Sequence, residues 1–358
     1  MNQHEIVRRR LANHHLTGAP LPTPDAAVEW LTAVQAQDYP GASWSIGIRT
    51  RASSDALDRA LAEGTIIRTH ILRPTWHFVL PSDIRWLQRL TAPRVHRQVA
   101  SYRRSLGLDE AVFAKSDALL AAALAGQRLT RVEIGALLRD RGIPVDDTRL
   151  GHLLMHAELD LLICSAGLKG RQQTYGLLDE RVPPAAPVQR EEALARLATR
   201  YFASHGPATD RDFAWWSGLT LTDVRLAVAL AGSQVESASV ADRTYRFVPS
   251  RTAPSNDPIG AHLVQGYDEY VIAYSQSREL LDLARIAPAG GSETLRIHVV
   301  LVDGQVVARW RRVVEKDSVL IDMRLERPLD KDEMRAVEAA VERYRSFLGR
   351  STRLEVRS

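Results

Sequence analysis

The chain has 358 residues, enough for two or three domains at roughly 150 residues each. Its 47 basic and 43 acidic residues leave a formal charge of +4; with 45% hydrophobic and 25% charged residues this is globular composition, which excludes wholesale disorder. A single cysteine, Cys164, excludes a disulfide framework and a thiolate metal cluster.

The N-terminal MNQHEIVRRRLANHHL lacks the apolar core of a signal peptide, and no apolar run approaches the ~18 residues of a membrane span. A soluble, cytoplasmic protein without membrane attachment is expected. Four basic residues are lysine and the rest arginine. GC-rich coding is the plain explanation, although the guanidinium fork also suits phosphate.

In chain order, HEIVRRRLANHHL and TPDAAVEWLTAVQAQ read as helices, the second reaching Gln37 beside the Pro40-Gly41 turn. ASWSIGIRT reads as an aromatic-containing strand, SSDALDRALAEG as a helix, and TIIRTHILRPTWHFVLP as strands. Residues 80–115 carry a further helix. Residues 118–181 show a recurring pattern most plainly. SDALLAAALAG is an apolar helix, and Thr130 with Glu133 forms a capping-box pattern that opens TRVEIGALLRD. DDTRLGHLLMHAELD is a third helix, and LLICSAGLKGRQQTYGLL has two apolar runs around a Gly-rich basic tip, a β-hairpin signature.

Helix, helix, helix, hairpin is the order of a winged helix-turn-helix. It recurs over residues 190–249, where Thr220 and Asp223 cap LTDVRLAVALA, and more loosely over residues 4–80. Pro183, Pro184 and Pro187 mark a linker, and TAPSNDPIG is turn-rich and reads as a boundary. Beyond it, Asp303-Gly304 joins two strands as a hairpin turn. SVLIDMRLE adds a strand, KDEMRAVEAAVERYRSFLG is an amphipathic helix, and a short strand closes the chain. The expected fold is α+β, with winged-helix units at 1–117, 118–186 and 187–252 and a β-rich, barrel-like domain at 253–358.

Three reading heads in one chain need not form a regulator, which usually has one head and dimer symmetry; they could make a concave monomer around duplex DNA. Arg85, Arg89, Arg94, Arg97, Arg103 and Arg104 fall in an acid-free stretch that could track phosphates, or could be an ordinary exposed helix. Arg8, Arg9 and Arg10 are open between contact and solvation. Lys169, Arg171, Gln172 and Gln173 crowd the hairpin tip, where charge meets phosphate and amides reach groove edges; a solvated hairpin is the plain alternative. His152 and His156 stand i, i+4, a metal-capable spacing without a third ligand in the pattern, so no metal is expected. Gln35 and Gln37 taken alone are surface residues. On a helix they point about 200° apart, but if the helix breaks there both amides could face one cleft.

The string QAQD, followed by the turn, resembles the AlkZ/YcaQ-like winged-helix DNA glycosylases of bacteria. LRPTWHFVLPSDIRWLQRLTAPR, VQGYDEYVIAYSQSREL and VVLVDGQVVARWRR match further stretches of that family in order, so the resemblance spans essentially the whole chain. It implies three tandem winged helices in a C-shaped arrangement with a C-terminal β-barrel-like domain. It also implies a monofunctional glycosylase without lyase activity that excises bulky or cationic N-alkylated purines from double-stranded DNA. Some members unhook interstrand crosslinks or give self-resistance to a DNA-alkylating natural product.

The family's Gln-apolar-Gln motif falls on Gln35 and Gln37, and its DNA-probing hairpin on the Lys169–Gln173 tip. His77 lies in the family-like strand, where it could neighbour the glutamines or be a hydrogen-bonded core histidine. Tyr267, Asp268 and Tyr270 match a family string and are read as domain packing. The chemistry is compatible: an N7-alkylated purine is already cationic and leaves readily, so neutral amides need only orient water. Neutral lesions would favour an acid at the second position, and Asp38 stands one residue too far along on regular backbone. The resemblance carries no metal or organic cofactor. The competing reading is a non-catalytic winged-helix DNA-binding protein, a regulator or damage sensor, in which both glutamines are surface residues.

Overall fold

The computed structural model describes residues 1–170, 172–249, 260–286, 298–316 and 318–357. Cα packing divides the chain into two compact units, one of residues 1–57, 194–216 and 220–358, the other of residues 58–193 and 217–219.

In chain order the N-terminal part contains α1 (Gln3–Asn13), α2 (Pro24–Leu31), the short strand β1 (Val34–Gln35), α3 (Tyr39–Thr50) and α4 (Ser54–Glu63). Then come β2 (Ile67–His70), β3 (Trp76–Val79), α5 (Pro81–Ser105), α6 (Glu110–Leu124), β4 (Leu129–Thr130), α7 (Arg131–Asp140) and α8 (Asp147–Leu159). The hairpin β5 (Ile163–Lys169) and β6 (Gln172–Leu177) leads through α9 (Leu178–Arg181) to α10 (Arg190–Ser204), α11 (Asp210–Ser217) and α12 (Leu221–Ala231). The remainder comprises β7 (Glu236–Val240), β8 (Arg243–Phe247), β9 (Ala261–Val264), α13 (Glu269–Ile272), β10 (His298–Val302), β11 (Gln305–Val314), β12 (Ser318–Leu325), α14 (Lys331–Leu348) and β13 (Ser351–Arg357).

Local chemistry explains many boundaries. Thr130 and Glu133 form the reciprocal capping box at the start of α7. Thr220 accepts from the Asp223 amide to cap α12. α6 begins at Glu110, earlier than the apolar run suggested, because Asp109 caps it through the Val112 amide. Asp303 and Gly304 both take positive φ, 48° and 78°, and join β10 to β11 in a two-residue turn.

In the unit of residues 58–193 and 217–219, β6 lies between β4 and β5, and β2 pairs antiparallel with β3. Its core joins Phe113, Leu120, Leu124, Ile134, Leu138, Leu153, Leu154 and Ile163 from α6, α7, α8 and β5. Gly167 has φ +83° at an irregularity in the hairpin, where a β-carbon would stand 2.9 Å from the Ala62 Cα.

In the other unit the last sheet has the order β13-β12-β11-β10-β9. Among the described residues its outer strands β9 and β13 do not pair, so the barrel-like expectation is corrected to an open five-stranded sheet. The apolar stripe of α14 (Val337, Ala340, Val341, Tyr344, Phe347) is buried, and α14 packs on β9, β10 and β13. A helix covers a face that closure would turn inward. The turn-rich TAPSNDPIG lies almost entirely outside the described residues, which resume at its final Gly260.

A second correction concerns ASWSIGIRT, which lies in helix α3 rather than a strand. Residues 41–47, 49 and 50 are all buried, so no amphipathic period is visible. Trp44 packs edge-on to Tyr344 and donates from Nε1 to the Leu263 carbonyl at 2.7 Å. A β-carbon on Gly47 would approach the Phe347 ring to 2.4 Å.

α3 is fixed by a buried ion pair. Arg49 donates through Nη1 and Nη2 to the two oxygens of Asp268, each at 2.7 Å, and also to the carbonyls of His14 and Ser45. Burial pushes the Asp268 carboxyl up, but the charge and hydrogen bonds of Arg49 prevail and hold it below the ordinary carboxylate range. Removing one partner strands a buried charge, so Asp268→Ala or Arg49→Ala should lower stability by about 3–5 kcal/mol in urea unfolding. Because the folded pKa is depressed, the wild-type pair contributes fully above about pH 4. Its contribution is lost as pH falls through the lower folded value, and Asp268→Ala should flatten that acid limb.

Candidate active site and nucleic-acid interface

The QAQD segment departs from its expected helix. α2 ends at Leu31 and Thr32 turns the backbone through φ +71°, a costly conformation for a β-branched residue. Val34–Gln35 is then extended, and α3 starts after Asp38 with Pro40 in its first turn. The two glutamines differ in exposure. Gln35 is 2% exposed, and its Oε1 accepts a long hydrogen bond of 3.4 Å from the Gln37 amide. Gln37 itself is exposed. Asp38 flanks the pair, and a β-carbon on Gly41 would sit 2.5 Å from Asp38 Oδ2 and 3.0 Å from Gln265 Oε1, so the turn admits only glycine without rearrangement.

Beneath this loop lies a buried polar layer that sequence reasoning missed. The Gln35 amide donates to Glu269 Oε1 at 2.7 Å, and Trp216 Nε1 donates to Glu269 Oε2 at 2.7 Å. His205 Nε2 stands 3.4 Å from the same oxygen. Burial above all keeps His205 and His14 below the ordinary histidine range, the latter well below. The available signal was an acid inside the aromatic and apolar run YDEYVIAY: a carboxylate placed there needs donors from elsewhere. Asp268, read as packing, caps α13 through the Tyr270 amide and so sets the position of Glu269.

His77 belongs to the other unit, in β3, and is fully buried. Its Nδ1 donates to the Thr75 carbonyl at 2.9 Å, and among the described residues its Nε2 has no partner. Burial first, then Arg73, holds it well below the ordinary value, so the ring is neutral at neutral pH.

The basic stretch of α5 separates into outward and inward members. Arg89, Arg97 and Arg104 are exposed. Arg85 is engaged with Asp179 at 2.7 Å and with the carbonyls of Val182 and Pro183. Arg85, Arg89, Asp179, Pro184 and Ala185 line a cavity of about 370 Å³. Arg103 is 5% exposed and its guanidinium is lowered to about 10 by burial. Arg10 is likewise interior, bonded to the Pro207 carbonyl and Ser277.

At the hairpin, Lys169 and Gln172 are exposed and Gln173 half-buried, while Arg171 lies outside the described residues. Lys169 Nζ is 2.6 Å from Glu133 Oε1.

Among the described residues His152 does not join His156 in a metal-like cluster. His156 instead comes together with His96 and Asp160. Arg103 Nη1 donates to His96 Nδ1 at 2.8 Å, which places the ring proton on Nε2, facing Asp160 Oδ1 at 2.8 Å. That nitrogen is thereby committed to a hydrogen bond.

A profile described as DNA glycosylase AlkZ-like matches residues 28–347, and the chain belongs to this family of DNA glycosylases. The solved structure of Streptomyces sahachiroi DNA glycosylase AlkZ is similar in fold, with a TM-score of 0.80 at 21% identity over 100% of both chains. No curated protein matches the sequence. Among the described residues no helix is long and apolar enough to cross a membrane.

Glu133 supplies a titration test. Lys169 first, then the Thr130 hydrogen bonds, pull its carboxyl down to about 2. In Lys169→Ala it should titrate nearer the ordinary 4.3 or so, followed by NMR. Since the folded value is depressed, its stabilising share in the wild type is complete above ~4.3 and fades as pH falls toward 2. An unmoved titration would assign the whole shift to Thr130.

Proposed function

We propose that this glycosylase hydrolyses the N-glycosidic bond of bulky or cationic N-alkylated purines in double-stranded DNA, with Gln37 orienting the attacking water and Gln35 fixing Gln37. The observation that carries this reading is the asymmetry of the pair: an exposed glutamine on a loop whose neighbouring glutamine is locked into the interior. A Gln37 carboxamide oxygen can accept a hydrogen bond from water and aim its lone pair at C1′. The C1′–N9 bond breaks, its electron pair neutralises the cationic base, the water oxygen bonds to C1′, and the released proton passes to solvent. A lesion that carries its own positive charge needs no strong acid, which a neutral amide could not supply. The loop from Val34 to Gly41 holds no lysine, consistent with hydrolysis without lyase chemistry.

The helix–helix–helix–hairpin successions support three winged-helix units, at 1–117, 118–186 and 187–252, in a monomer. Lys169, Arg171, Gln172 and Gln173 at the second hairpin would probe the duplex, and Arg89 and Arg97 would meet phosphates. Arg85, largely engaged by carbonyls and Asp179, would add one charge from a fixed position. His77, held neutral by burial, takes no step in this scheme. Interstrand crosslinks and the adducts of a DNA-alkylating natural product fall within the same chemistry, and the latter would make the enzyme a self-resistance factor.

The test is release of base from duplexes carrying N7-methylguanine, a mustard crosslink or a natural-product adduct, scored as abasic sites. Gln37→Ala should reduce the single-turnover rate about 100-fold or more while the Kd for the adducted duplex stays within about twofold. Absence of release from every duplex in the panel would overturn the reading.

A further inference from the structure

We propose that Glu269 is a positioning residue for base excision, acting through Gln35 on Gln37. The inference rests on the hydrolytic reading of the glutamine pair. It concerns a buried carboxylate 234 positions away in the chain.

Glu269 is fully buried at the first position of α13, where Asp268 caps the helix. A carboxylate in that setting is costly unless donors replace its lost water. The donors come from two distant stretches. Oε1 takes the Gln35 amide and Oε2 the Trp216 indole, both at 2.7 Å, at the short end expected when the acceptor is charged. His205 Nε2 stands farther off, 3.4 Å from Oε2.

The Gln35 amide is the only one of these donors that belongs to the catalytic loop, and the chain of contacts continues outward from it. Gln37 follows Gln35 by two positions and its backbone N–H makes a long 3.4 Å contact with Gln35 Oε1, so the short backbone step that carries the Gln37 carboxamide is referenced through Gln35 to a carboxylate anchored by Trp216 and Asp268. Thr32, at φ +71°, lies on the other side of the same short segment. The segment is therefore held in an unfavourable conformation and needs an attachment at this end. Loss of a supporting bond of this kind leaves a site present but loosely aimed.

Glu269→Gln keeps the size and can still accept from Gln35, but its new N–H group would face the Trp216 N–H or displace the Gln35 contact. The single-turnover rate of base release from an N7-alkylguanine duplex should fall about tenfold or more, with the Kd for that duplex within about twofold and the fold intact by circular dichroism. The decisive comparison is a double-mutant cycle. Adding Glu269→Gln to Gln37→Ala should slow release no further, because no carboxamide remains to be aimed.

A merely structural role predicts multiplied losses, and that result, or a wild-type rate in Glu269→Gln, would overturn the proposal. Amide hydrogen exchange at Gln35 and Gln37 gives a readout independent of activity. It should accelerate in Glu269→Gln while α14 stays protected, and unchanged exchange there would also count against the role. If the wild type itself released no base, the hydrolytic reading would fail, whereas the exchange measurement would still report whether Glu269 holds the loop. Should Glu269→Gln fail to fold, Trp216→Phe withdraws the anchoring donor from Oε2 and is expected to show the same cycle in weaker form.

Discussion

The buried pair between Arg49 and Asp268 is the interaction on which the glutamine loop and its surroundings depend. Both charges are out of water, so each is tolerable only while the other stands opposite it with its hydrogen bonds made. The constraint spreads in two directions. Arg49 lies in the last turn of α3, and its other hydrogen bonds go to the His14 and Ser45 carbonyls, which fixes the helix that begins just after the glutamines. Asp268 caps α13, which places Glu269 under Gln35. One ion pair thus sets both ends of the loop: the helix that leaves it and the acid that supports it.

This arrangement gives the two glutamines different surroundings despite identical chemistry. Gln35 is buried with its amide and its side-chain oxygen engaged in the protein, whereas Gln37 is an exposed residue. The interior around them holds its carboxylates with arginine, amide and indole donors, and burial keeps His14 and His205 from gaining charge readily. Under the proposed function, a site built this way would rely on orientation instead of proton transfer.

Much of the local structure was legible because its causes lie within a few residues. Thr130 and Glu133 announce α7, Asp303-Gly304 announces the β10–β11 turn, and the spacing of Val337, Ala340, Val341, Tyr344 and Phe347 announces α14. α3 was not legible, since a helix buried on nearly every side carries no amphipathic period and its Trp and Ile residues resemble a strand. The open sheet was equally hidden, because strand count and alternation do not say whether outer strands meet. The arginines of α5 look alike in sequence, yet Arg85 and Arg103 turn to carbonyls and His96 while Arg89 and Arg97 face solvent.

By itself the sequence determined the α+β class, the repeated helix and hairpin order, the caps and turns, and the QAQD string with its family resemblance. These follow from short-range hydrogen bonding, periodicity and residue identity. Only the tertiary structure decided that Gln35 is inside and Gln37 outside, that Glu269 and Trp216 support them, and that the last sheet stays open beneath its helix. Those outcomes depend on which distant donor satisfies which buried acceptor, and such pairings across 200 or more residues leave no local mark in the chain.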